Sequence, residues 1–114
     1  MISEGQIIHV AMPSAWRSSN ETYTSDSLAS EGFIHSCTPD QVAGVLARHF
    51  AGHRALLLLV ISPPDLVSAV RVEEAPPHGW YPHIYGPINQ AAVVNVLPIE
   101  AGPDGVFILP EGFH

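Results

Sequence analysis

The sequence has no lysine, a single cysteine and only four basic residues, Arg17, Arg48, Arg54 and Arg71. A lone cysteine excludes an intrachain disulfide. The opening "MISEGQIIHV" has no basic start and no small-residue cleavage site, so the expected compartment is the reducing cytoplasm. Four scattered arginines against eleven acids, for a formal net charge of −7, leave no basic stripe for a phosphate backbone. Charge therefore argues against nucleic acid as a main partner, and against an anionic membrane surface. The longest apolar run, "ALLLLVI" from Ala55 to Ile61, is far too short to span a bilayer. Neither GxGxxG nor a P-loop occurs, which excludes a Rossmann or Walker nucleotide site. CxxC, HExxH and HxH patterns are also missing, so no standard zinc spacing is present.

What remains is apolar: 46% of the 114 residues are hydrophobic and 13% charged. That length and composition predict one domain, residues 1–114, with a core that needs no metal or disulfide. "QIIHVA" reads as an opening strand. Pro13 suits a first helical position, so "PSAWRSS" reads as a short helix with Trp16 inward. Ser18 to Ser27 is polar and reads as a surface loop, with a helical turn at Ser25–Ser30 closed by Gly32. Thr38-Pro39-Asp40-Gln41 is a capping box. Val42, Val45, Leu46, His49 and Phe50 follow at helical spacing, and Gly52 is placed to end that helix.

"ALLLLVI" does not alternate and predicts a central strand covered on both faces. "AVRVEE" alternates, which puts Val70 and Val72 inside and Arg71 and Glu73 outside. Glu73 to Pro82 is read as a second loop because of its prolines. "HIYG" and "AVVNVLPI" read as further strands, and "GVFIL" as a last strand or an ordered tail. Without a regular βαβ alternation the fold class is α+β.

The chemistry concentrates in "EGFIHSCTPDQ", Glu31 to Gln41. His35 lies in a strand, with Phe33 and Cys37 on its face and Ile34 and Ser36 on the other. Taken alone, it fits a half-buried histidine satisfied by a carbonyl. Two other strands also carry a histidine among apolar neighbours: His9 in "IIHVA", and His83 two residues before Tyr85. Burying three imidazoles separately wastes hydrogen bonds, whereas one polar cleft satisfies them together. Four readings compete. Histidines could bind a metal, or Cys37 at a helix mouth could be a nucleophile. The histidines could line a small-molecule cleft with Tyr23, Tyr81, Tyr85 and Trp80 as stacking rings. The chain could also be a pure interaction domain.

"IIHVAMPSAW", "DSLASEGFIHSCTPDQVAGVLARHF", "ALLLLVI" and "PHIYGPINQAAVV", in this order and spacing, resemble the small bacterial family catalogued only as domain of unknown function 952. The resemblance covers nearly the whole chain. It implies an ADP-ribosyltransferase-like fold: two small curved sheets around a cleft, with short helices outside. It also implies that NAD or a related nucleotide is bound there, with ADP-ribosyl transfer or glycohydrolase activity.

His9 matches the first-strand position that contacts a ribose. His35 with Ser36 matches the second-strand position, in a way similar to the tRNA 2′-phosphotransferase branch. His83 and Tyr85 belong to the family's own motif. The candidate catalytic residues are thus His35, His83 and Tyr85, and the candidate cofactor-binding residues His9, Ser36 and Tyr85. The third position, usually acidic, departs from the pattern: "INQAAVV" offers only Gln90, and Glu73, Glu74 and Glu100 are placed by nothing in the motif. A dianionic pyrophosphate would need Arg17 or Arg54 in the cleft. The alternatives are a non-catalytic binding or interaction domain that keeps only the fold, and a metal-dependent hydrolase.

Overall fold

The computed structural model describes residues 5–17 and 21–113, so the first residues of the polar stretch Ser18–Ser27 lie outside the described residues. Within them, three antiparallel sheets are formed. β1 (Ile7–Ala11), β4 (Ala55–Ile61) and β8 (Val93–Glu100) make one, in the order β1-β4-β8. β3 (Ile34–His35), β6 (Trp80–Tyr85) and β5 (Ala69–Glu74) make a second, in the order β3-β6-β5. β2 (Thr22–Tyr23) and β7 (Ile88–Asn89) form a small third pair. The helices are short: α1 (Asp26–Glu31) and α2 (Val42–His49). This is an α+β arrangement, with a Cα radius of gyration of 13.3 Å, the value a packed chain of this length reaches.

β4 is the central strand that its unbroken apolar run predicts, and it is covered on both faces. Leu56, Leu58 and Val60 meet Ile8, Val10, Val42, Leu46 and Phe113 on one side. Leu59 and Ile61 meet Ile7, Ile34, Ile84 and Ile88 on the other. The first core lies under α2, the second between the two larger sheets. Period-2 alternation makes this possible, since each strand feeds two cores.

The signals for α1 and α2 hold, whereas the helix expected over "PSAWRSS" is only a 3-10 turn that ends before an extended Trp16. Gly32, at φ +91°, takes the left-handed conformation that ends α1, and its N–H bonds the carbonyls of Ser27 and Leu28. The Gln41 side-chain oxygen accepts from the Thr38 N–H at 2.9 Å ahead of α2. Val42 and Leu46 are buried, while His49 at the helix end is exposed. Trp16 packs inward on the second core after a turn of 3-10 helix, Pro13–Ala15. The tail reading holds for "GVFIL": Phe107 makes an isolated bridge to Ala101.

The second predicted loop does not exist at the predicted length. Glu73 and Glu74 end β5, Trp80 to Pro82 begin β6, and only the stretch from Ala75 to Gly79 turns. Pro82 is tolerated in a central strand because β3 stops pairing at His35. In an antiparallel ladder the N–H and C=O of one residue face the same neighbour. The Pro82 carbonyl accepts from Ser36 Oγ at 2.6 Å, so the missing N–H faces a place with no strand to bond. Val72 is not inside as predicted: it is 64% exposed on the edge strand β5, beyond the cover that reaches Val70.

β1 and the segment after β3 are stitched together at one point. The Ile8 N–H bonds the Cys37 carbonyl at 2.7 Å, and the Cys37 N–H bonds the Ile8 carbonyl at 2.8 Å. The cleft borders this junction, and Ile8 and Cys37 both line it.

Candidate functional site

A cavity of about 870 Å³ opens beside this junction, and His9, His35, Ser36, His83 and Tyr85 all line it. Strand pairing accounts for the grouping. His35 sits opposite His83 on β3 and β6, and His83 sits opposite Arg71 on β6 and β5. Cross-strand partners share a face, so His35, His83, Tyr85, Arg71 and Glu73 crowd one side of the sheet. Ile34 and Ile84 occupy the other side and enter the second core.

His83 is the best-placed of these groups. Its ring stacks on Phe33 with centroids 4.0 Å apart and an interplanar angle of 17°. Its Nδ1 donates to Glu73 Oε1 at 2.9 Å, since a carboxylate can only accept. The same oxygen accepts a very short hydrogen bond from the Tyr85 hydroxyl. Among the described residues no buried side-chain nitrogen or oxygen lacks a partner, and no protein group meets His83 Nε2. That nitrogen therefore opens to the cleft with its lone pair free. The hydrogen bonds from Tyr85 and then His83 hold the Glu73 carboxyl below the usual range, so it stays ionised. The bond to Glu73 raises the Tyr85 phenol correspondingly. Arg71 lies over the Tyr85 ring, 5.0 Å from its centroid.

His35 is exposed on the cleft rim. Its Nε2 donates to Glu31 Oε2 at 3.0 Å, and its ring meets His83 edge-on at 5.9 Å. His9 differs from both. Its Nδ1 donates to the His35 carbonyl at 2.6 Å, and its Nε2 accepts from the Tyr23 hydroxyl at 2.9 Å. Burial pushes the His9 pKa down to about 4 and the Tyr23 phenol up to about 12. Both nitrogens of the neutral imidazole are thus engaged by the protein itself. Ser36 is buried likewise, with its hydroxyl donated to Pro82.

Cys37 carries a free, buried thiol. It is 2% exposed, and burial first, then Asp40, pushes its thiol up to about 12. Among the described residues no three of His, Cys, Asp and Glu gather in a way that could hold a metal ion. Nor is any helix among them long and apolar enough to cross a membrane. Tyr23, Tyr81 and Tyr85 line the cleft, and Trp80 does not. Trp80 is exposed, and its carbonyl accepts from Gln41 Nε2 at 2.9 Å. Neither Arg17 nor Arg54 reaches the cleft; Arg48 does, bonded to the Tyr81 hydroxyl at 2.7 Å.

Glu73 is the residue that the sequence reading leaves out of the site. The signal for it was present: Arg71 and Glu73 form the polar face of an alternating strand. Joining that strand to "WYPHIY" as a hairpin brings Glu73 beside His83 and Tyr85.

A family profile described as a protein of unknown function, DUF952, matches residues 10–96. The chain belongs to the DUF952 family. The match takes in every cleft residue named above except His9, which precedes it. Among curated proteins nothing matches the chain. Two solved structures superpose on it, both of protein CC0527 from Caulobacter crescentus. The crystal structure has a TM-score of 0.81 at 23% identity, over 91% of this chain and 94% of that one. The solution NMR structure has a TM-score of 0.72 at 24% identity, over 89% and 90%. At this identity the likeness establishes the shared fold.

Proposed function

We propose that this DUF952 chain has the ADP-ribosyltransferase type of layout, and that its cleft binds NAD or a related nucleotide. Transfer or glycohydrolase chemistry would take place at the end held by Glu73, His83 and Tyr85. The observation that carries this reading is the ionised Glu73 carboxylate, fixed by two hydrogen bonds inside the cleft. Cleavage of a ribosyl bond builds positive charge on the sugar, and a preorganised anion stabilises that charge. Gln90 offers no such anion; Glu73 does.

In this scheme His83 Nε2 and His35 receive ligand hydroxyls, Phe33 and Tyr85 form an aromatic wall for a planar ring, and His9 is a positioning residue. His9 holds the His35 backbone and the Tyr23 hydroxyl. The cavity, about 870 Å³, falls within the roughly 300–1,000 Å³ that ligand sites occupy. The buried thiol of Cys37 suits the reducing cytoplasm.

Calorimetric titration with NAD, joined to an assay for released nicotinamide, tests the proposal. Saturable binding is expected, and Glu73→Gln should slow release by about 10²–10³-fold. No heat at millimolar NAD sinks it. One observation favours a second reading, a binding domain without chemistry: His9 and Ser36 both spend their polar atoms on the protein itself. Saturable binding with no nicotinamide released would select that reading.

A further inference from the structure

The charge lining the cleft is lopsided. Among the described residues Asp26, Glu31, Glu73 and Glu74 all border it, and Arg48 is the one arginine or lysine that does. Arg48 is bonded to Tyr81 at 2.7 Å, and Arg71 is spread over Tyr85, so both nearby guanidiniums already face aromatic groups. A pyrophosphate entering this space meets four carboxylates against one guanidinium. The inner wall instead offers π faces, with Phe33 stacked on His83 and Tyr85 tilted beside Phe33 at 5.6 Å. Beside those faces sits the Glu73 carboxylate. At the same point, His83 is 8% exposed and presents an Nε2 with no protein partner among the described residues. Aromatic faces next to a fixed anion recognise delocalised cations, because ring quadrupole and carboxylate both attract positive charge.

We propose that the cleft selects its ligand by a planar cationic ring, of the N-substituted pyridinium class, seated against Phe33 and Tyr85 with Glu73 as counter-ion. It takes the phosphate-free nucleoside form of such a ligand at least as well as the dinucleotide. This rests on the cleft being a nucleotide site, and it names which end of the nucleotide is read.

Four probes test it by calorimetry at low salt: NAD, NADH, nicotinamide riboside and ADP-ribose. NAD and NADH share their phosphates and differ in ring charge. NAD should bind about tenfold tighter than NADH. Nicotinamide riboside should match or exceed NAD, and ADP-ribose should be the weakest. Glu73→Gln should bring NAD and NADH together, and added salt should weaken the riboside.

Equal affinity for NAD and NADH, or ADP-ribose binding as tightly as the riboside, overturns the charge selection while leaving the nucleotide reading intact. Binding of the riboside alone supports the charge selection and overturns the dinucleotide reading. If no probe binds at millimolar concentration, both fall.

Discussion

His9 shows how burial decides what a histidine can do. Its folded pKa, about 4, lies below the unfolded value of 6.5, so the unfolded chain binds the proton first as pH falls. The stability that His9 contributes is whole above pH 6.5 and drains away between there and about pH 4. Denaturant melts across that window should show the loss, and the His9 ring resonances should stay neutral until near its lower end. Tyr23→Phe removes the donor to His9 Nε2 and leaves a buried acceptor unpaired, a cost of about 1–3 kcal/mol by urea unfolding. An unchanged midpoint would mean that the pair contributes nothing. Cys37 yields a companion expectation. Its buried, undissociated thiol should resist a disulfide-exchange reagent in native protein and react at once after unfolding. Rapid native labelling would place it outside the core.

At the scale of elements, single side chains tie neighbouring elements together. Gln41 accepts from the Thr38 N–H and donates to the Trp80 carbonyl, so one side chain ties the cap of α2 to β6. Gln41→Ala should cost about 1–2 kcal/mol, read from a thermal melt. Gly86 follows β6 at φ +154°, and a Cβ there would stand 2.3 Å from Ser68 Oγ. Gly86→Ala should therefore destabilise by at least about 1–3 kcal/mol, while Ser68→Ala in the same background should recover part of the loss.

Much of this layer was legible in the sequence. The run Ala55–Ile61, the capping box, Gly32 and the inward Trp16 each follow from local periodicity or a fixed backbone need. What failed was the hairpin of β5 and β6. Pro82 read as a breaker because one strand cannot reveal that its neighbour stops short. Val72 read as core because alternation tells faces apart but not how far the cover extends along an edge strand.

At the scale of the whole molecule, the sequence placed three histidines on three strands and could not show that they meet. The register does it: His35 opposite His83, and Ile8 stitched to Cys37, bring two sheets to a common cleft. Assembly also divides labour in a way that residue type cannot reveal. His9 and Ser36 hold the frame, while His83 and His35 face the space. Glu73, a residue of no evident motif, joins the cleft wall beside His83 and Tyr85.

The most direct test of that division is a two-dimensional NMR titration of isotope-labelled protein with NAD. The account predicts saturable amide shifts confined to the strands around His35, Glu73, His83 and Tyr85, with smaller shifts at His9, and their loss in His83→Ala protein that keeps its fold. No response at millimolar NAD, or shifts gathered on the far side of α2, would contradict it.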